Sequence, residues 1–535
     1  MTVLKRLSLI LLFITSFILL SLSLSSCGDS YEDGILYNGN TVVGADKSAK
    51  TLSVKEGTVS IAAGAFADCK ELTSLTLPDS ITEIASGAFN GCDALIKSEG
   101  GVLYVDSWVI GAESDATEIT IKDGTRGIAR EAFMGITSIK NAFVPDSVMH
   151  IGARAFFRCS SLESITLPFV GKSAATKNSM HFGYIFGAFN KEQNSDYVPQ
   201  SLVEVNVTNS DEIADYAFSE CNKIKKVTLP SALTAIGEGA FYECTALSEI
   251  TIPDSVAGIG EKAFYKCSAL TSAKLPENDG FTALKEYTFA YCSGIVELII
   301  PASVTEIGAC AVARCTNLEA LTIQNPCLER IGQQAFDGCT YLSSVELTVK
   351  SLGKAAFQNC TALTNVTIGE GTLEIESYAF NGCSAISSFS MPKSVAKIGE
   401  YAFYACHSLT SVDLGENVTS IERSTFQNCI NLTGTVISPF IKQVGNNAFS
   451  GCNKLVERRN GMSFVNGWVT DIQSSVTSLE ITDEVLGFAD GAFSDALNLA
   501  EIVFSGSEDA WLKIKGMIPS SVLSEINVVI NANKS

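Results

Sequence analysis

Apolar and polar residues alternate in short blocks that recur down the chain. In Leu72-Thr73-Ser74-Leu75-Thr76-Leu77-Pro78, Leu75 and Leu77 alternate with Ser74 and Thr76. A period of two is what a half-buried strand requires. Pro78 closes the block because proline cannot donate to a strand ladder, and Asp79-Ser80 adds turn chemistry. A second extended piece, Ile81 to Ile84, leads into Gly87-Ala88-Phe89, which reads as a helical turn ending near Cys92. The same order then returns in a frame close to I-G-x-x-A-F-x-x-C-x-x-L-x-x-I-x-L-P.

The aromatic position of that frame recurs 17 times, from Phe66, Phe89, Phe133, Phe156, Phe189 and Phe218 on to Phe493, and only Val312 departs from Phe. A fixed period of roughly 20 to 50 residues marks one supersecondary unit stacked on copies of itself. The expected architecture is therefore an α/β solenoid of 17 coils, with a parallel sheet on one face and short helical turns opposite. Equivalent strands about 4.8 Å apart would carry 17 coils over an arc of roughly 80 Å. Such a chain adds coils without needing a new core, so 535 residues do not imply several domains.

Eleven cysteines from Cys221 to Cys452 follow the same rhythm at intervals of 21 to 25 residues, and Cys69, Cys92 and Cys159 occupy the same place. Stacked thiols on adjacent coils would lie near disulfide distance, but their parallel side chains do not suit the disulfide torsion. Free buried cysteine packs as a small apolar residue. One C-x4-C pair, Cys310 and Cys315, has no second pair or histidine partner to complete a zinc site, so the cysteines read as one structural thiol per coil and no metal or cofactor is expected. Cys310 and Cys327 lie off this series.

The string Leu247, Ile250, Ile252, Pro253, Ser255, Val256, Ile259, Gly260, Ala263, Phe264, Cys267 resembles the repeat of BspA-like leucine-rich repeat proteins, the treponemal class. The resemblance runs from about residue 50 to 505. It implies a leucine-rich repeat solenoid and a role in adhesion through protein binding.

The rhythm breaks in three places. The intervals Phe89 to Phe133 and Phe449 to Phe493 are both 44 residues, and each holds similar text: Gly101-Val102-Leu103-Tyr104-Val105-Asp106-Ser107-Trp108-Val109 and Gly461-Met462-Ser463-Phe464-Val465-Asn466-Gly467-Trp468-Val469. Each reads as an extra coil, a small hairpin with its Trp against the solenoid. An irregular insertion at 169–200 carries His181, Tyr184, Phe186 and Tyr197. After residue 505 an amphipathic helix and a last strand read as a C-terminal cap over 506–535, since solenoid ends need covering.

The N-terminus reads differently. Lys5 and Arg6 precede an apolar run to about Leu24, followed by Ser25-Ser26-Cys27. Basic, apolar and small-residue regions in that order describe a secretory signal over residues 1–26. Cys27 directly after it resembles the lipidated cysteine of a bacterial lipobox; a transmembrane anchor or an ordinary signal is the alternative. Residues 27–50 then read as a tether, ahead of the solenoid over 51–505.

The full chain has 37 basic and 58 acidic side chains, a formal charge of -21. Such a surface repels phosphate backbones and disfavours nucleic acid as a partner. Three histidines, His150, His181 and His407, leave few candidates for acid–base chemistry; His150 and His407, in turns flanking the frame, read as solvated loop residues. No Walker-type, nucleophile-elbow or EF-hand motif is present, and no enzyme is expected. Outward strand positions such as Ser74/Thr76 and Ser164/Thr166 are what a stable sheet uses, without the Tyr, Trp and Arg of interface hot spots. Recognition is therefore expected in the breaks, with His181, Tyr184, Phe186, Tyr197, Trp108 and Trp468 as candidate contacts. The expected protein is an exported, outer-membrane lipoprotein that binds a host matrix or bacterial surface protein. An envelope spacer without a ligand and a glycan-binding module are the alternatives.

Overall fold

The structure, a computed structural model, describes residues 29–174, 180–326, 328–434 and 436–531. The signal segment, Cys27 and Cys327 lie outside the described residues. The chain divides into two compact units, one of residues up to 161 with 185–187, the other of 162–184 with 188 onward.

Both units are leucine-rich repeat solenoids, and the chain makes about 21 turns. That exceeds the 17 aromatic positions because a turn needs only its strand ladders, and the hairpin coils described below carry no Phe rung. In the second unit Ser164–Leu167, Glu204–Val207, Lys226–Thr228 and Glu249–Ile250 pair in parallel, with Ile165, Val205, Val227 and Ile250 in register. These inward residues are buried while Glu204, Lys226, Thr228 and Glu249 stay exposed, as the alternation predicts. The Ile-Gly segment builds a second parallel ladder, Glu212–Ile213, Ala235–Ile236 and Gly258–Ile259.

Opposite the strands, the Ala-Phe-x-x-Cys segment is a run of hydrogen-bonded turns. Its backbone crosses into the left-handed region twice per coil, at Tyr216 (φ 56°) and Glu220 (φ 60°), then Lys262 (φ 55°) and Lys266 (φ 59°). This alternation aims N–H groups at the next coil: Tyr216 N to Glu238 O at 2.7 Å, Phe218 N to Ala240 O at 2.8 Å and Glu220 N to Tyr242 O at 2.6 Å. The turn thus satisfies its donors between coils, where a helix would satisfy them within one. Among the described residues, α-helix is confined to Asn194–Tyr197, Glu508–Lys515 and Ser520–Glu525. Ser507 caps the second of these by accepting from Ala510 N, and Trp511 is buried 5.3 Å from Phe504. Asn527–Ile530 adds a parallel strand to Glu501–Ser505.

Phenylalanines stack in runs, one per regular coil. Phe218, Phe241, Phe264 and Phe289 lie 5.2–5.3 Å apart at interplanar angles of 4°, and a second run descends from Phe336 to Phe449. Each buried ring contributes about 1.5–3 kcal/mol.

Three expectations need correction. Residues 29–45 are not a tether: Asp29–Glu32, Ile35–Asn38 and Thr41–Ala45 are antiparallel strands, and the last pairs in parallel with Ser60–Ile61. Ile35, Tyr37 and Val42 are buried, so apolar alternation outweighed the Gly and Asn content. Phe189 is not a rung; it is 84% exposed. In the first unit Phe186 takes the place beside Phe156, at 6.4 Å, and in the second Phe182 packs 5.0 Å from Phe218. The pattern Gly187-Ala188-Phe189 imitates the frame, but the turn over Phe182–Phe186 brings the inner rings. Finally, His150 is not a solvated loop residue, since it sits in a strand stacked 6.4 Å from Trp108.

Candidate functional site

Both Trp coils are hairpins. Lys97–Glu99, Val102–Val105 and Trp108–Ala112 form one; Glu457–Arg459, Met462–Val465 and Trp468–Ile472 form the other. Residues 29–45 are a third example. All three open on two left-handed residues, Asp33-Gly34, Gly100-Gly101 and Asn460-Gly461, the sequence chemistry of a type I′ turn. Trp108 and Trp468 are 1% and 4% exposed, each lying over a glycine: a Cβ on Gly127 would come within 2.5 Å of the Trp108 ring, and one on Gly487 within 2.7 Å of Trp468. Both indoles are core, which removes them as ligand contacts. Phe186 is removed for the same reason.

The insertion behaves differently. Asn194 is buried and acts as its internal clamp. Its Oδ1 accepts from Gly183 N at 2.8 Å, and its Nδ2 donates to Ala217 O at 3.3 Å and Ser219 O at 3.0 Å. Beside this clamp the insertion and the coils at 212–237 enclose a cleft of 750 Å³, with His181, Phe189, Lys191, Glu192, Glu212 and Asp215 in its wall. His181 is buried, with Nε2 3.2 Å from Ala188 O and Tyr184 edge-on at 6.2 Å. Burial holds its pKa below the ordinary value, against the smaller opposing pull of Ala188 O and Glu192. Tyr197 is half-buried on the short helix. Of the expected contacts, then, His181 lines the cleft and Tyr184 packs against it, while Phe186 and both tryptophans do not reach it.

Sequence reasoning missed the exposed Phe189, Lys191 and a tyrosine row. Lys191 Nζ stands 3.5 Å from the centre of the Tyr216 ring. Tyr216 is followed by Tyr242 at 6.3 Å, which stacks on Tyr265 at 5.1 Å and 10°. Tyr265 then meets Tyr287 and Tyr291 edge-on. The Tyr216 hydroxyl donates to Glu238 at 2.5 Å, which pushes its pKa up to about 12. Lys266 pairs with Glu243 at 2.7 Å. The signal was readable: each tyrosine falls one or two residues from a Phe rung, on the turn edge and away from the strand face. Half-exposed tyrosines with fixed charges between them suit recognition of a polypeptide surface.

The thiols have a role that spacing alone did not show. Cys244 Sγ donates to Phe218 O at 3.0 Å, Cys267 to Phe241 O at 3.1 Å, and the pattern continues to Cys452 on Phe426 O at 3.0 Å. These cysteines tie their coils to the carbonyl of the previous rung. Burial pushes the thiols of Cys159, Cys244, Cys339 and Cys406 up to about 12, so these groups remain donors and not nucleophiles.

Parallel strand ladders, recurrent Phe and thiol rungs, and a left-handed turn edge define a leucine-rich repeat solenoid. The family model described as BspA type leucine-rich repeat region, in six copies, matches residues 45–100, 111–182, 211–343, 277–370 and 329–456, and the chain belongs to that family. No curated relative matches it. Among solved structures it is similar to a leucine-rich repeat protein from Bacteroides ovatus, at 22% identity and TM-score 0.43, covering 82% of this chain and 97% of that one. A leucine-rich cell surface protein from Faecalibacterium prausnitzii gives 20% identity and TM-score 0.31, covering 92% and 98%. The Treponema pallidum leucine-rich repeat protein gives 21% and 0.23, covering 46% and 86%. Leucine-rich repeat proteins are typically non-enzymatic scaffolds that bind protein ligands.

Proposed function

We propose that this chain is a lipid-anchored surface protein of the outer membrane that adheres to a protein ligand, a host matrix component or another bacterial surface protein. The observation that carries the reading is Phe189, 84% exposed in the wall of a built cleft whose Lys191 stands over Tyr216 of the tyrosine row. A large exposed aromatic beside a cation and stacked tyrosines is the composition of an interface hot spot. In this reading His181, Tyr184 and Tyr197 hold the insertion in shape, and Phe189, Lys191 and Tyr216 touch the ligand. Residues 1–26 direct export and Cys27 carries the lipid, which with several acyl chains is sufficient for stable anchoring.

The test is immobilisation of matrix and bacterial surface proteins against the purified chain, wild type beside F189A/K191A. Loss of at least tenfold in affinity with unchanged thermal unfolding is the expected result; equal binding by the double variant sinks the assignment. For the anchor, a fatty-acid label should appear on wild type and vanish in Cys27→Ala, and label retained by the variant excludes Cys27.

One observation favours a second reading, an envelope spacer. The exposed strand positions Ser74, Thr76, Thr228, Ser388, Ser390 and Ser411 are small and polar. Failure of every protein ligand to bind would support it.

A further inference from the structure

The three hairpins are the same scaffold with different fillings on one side. In the second hairpin Leu103 lies against Gly111, where an added Cβ would meet Leu103 Cδ1 at 3.5 Å. In the first, Leu36 lies against Gly44 in the same way, also at 3.5 Å. The place is thus apolar and filled twice over. In the third hairpin the corresponding residues are Ser463 and Asp471, and the change continues around them. Ile110 is replaced by Thr470, Ser98 by Arg458, Met134 by Ser494 and Gly135 by Asp495. The result is a cavity of 410 Å³ among these six residues and the turn edge of the preceding coil, which adds Asn447 and Asn453.

Its chemistry is specific. Ser463 is 6% exposed and lines the cavity. Asp471 is half-buried, and its pKa is raised first by burial and then by the Asp495 charge, while Arg458 pulls the other way. The wall therefore offers carboxylate acceptors, guanidinium donors, hydroxyls that do both, and asparagine amides. An anion would face two carboxylates. An amine would use only the acceptors and leave Arg458 and the amide donors unmatched. A polyol, whose every hydroxyl donates and accepts, matches the mixture, and the volume falls in the range of small-molecule sites.

We infer that the cavity beneath the third hairpin is a binding site for a neutral saccharide end group, held by Ser463, Thr470, Asp471, Asp495 and Arg458. It is separate from the cleft at His181 and does not rest on the protein-ligand reading.

The experiment is calorimetric titration of the full chain with neutral mono- and disaccharides of glucose, galactose, mannose and N-acetylglucosamine. Methylamine and inorganic phosphate serve as the amine and anion probes. The variant S463L/T470I/D471G rebuilds the filling of the second hairpin, which this scaffold already tolerates, and D471N keeps the shape without the charge. At least one neutral saccharide should bind, with affinity at least tenfold weaker in both variants and thermal unfolding of D471N unchanged. Binding of the amine or phosphate alone, no saccharide binding, or equal affinity in D471N overturns the inference.

Discussion

The Trp hairpins and the 169–200 insertion look alike as text, both being aromatic-bearing interruptions of a 23-residue rhythm, yet they bury their aromatics to opposite degrees. In the hairpins a glycine on the neighbouring strand, Gly127 or Gly487, makes room for the indole, and the interruption becomes another layer of core. In the insertion the inner places go to Phe182 and Phe186, both fully buried, and Phe189 is left outside. An interruption of a repeat therefore marks a site only when the rungs are already occupied and an aromatic remains over.

The sharpest way to break this contrast is at the Trp itself. Trp108→Ala should destabilise the first unit by about 3–5 kcal/mol, seen as a lower denaturation midpoint. A loss under about 1 kcal/mol would show the indole to be surface after all. Gly127→Ala comes next: its methyl would stand within 2.5 Å of the ring, and overpacking of that kind costs about 1–3 kcal/mol. Cys267→Ala should cost about 1–2 kcal/mol through a lost thiol donor and a small void. Alkylating reagent should leave the ladder thiols untouched in the native chain and label them after denaturation, as free buried thiols with raised pKa require.

Two smaller effects sharpen the other side. The His181 pKa is depressed in the fold, so the unfolded chain binds the proton more readily. Stability from this group is complete above 6.5 and declines as pH falls through that value. Proteolysis of the insertion should rise over the same range, and His181→Gln should flatten the dependence. Phe189→Ala should change stability by less than about 0.5 kcal/mol while weakening ligand binding. A large stability loss there would return Phe189 to the core.

How much was readable differs from element to element. Leu75 and Leu77 announced a strand through their alternation with Ser74 and Thr76, and both are buried. The recurrent Phe announced the rung. The tyrosine row was present in the text but scattered over the variable positions, where neither period nor motif gathers it. Only stacking brings Tyr242 within 5.1 Å of Tyr265. The Ser463–Asp471 cavity was hidden more deeply, because its residues come from three antiparallel strands, the turn edge before them and a later turn.

The repeat period, the inward residues of each strand and the type I′ turns at Asp33-Gly34, Gly100-Gly101 and Asn460-Gly461 are local matters. They follow from side-chain size, alternation and backbone freedom within about one coil, and the chain spells them out. Which of Phe182, Phe186 and Phe189 turns inward, where the thiols donate, and which of three equivalent hairpins keeps an open polar cavity are settled between coils. Those outcomes depend on the volume a neighbouring layer leaves free, a quantity that exists only once the layers are stacked.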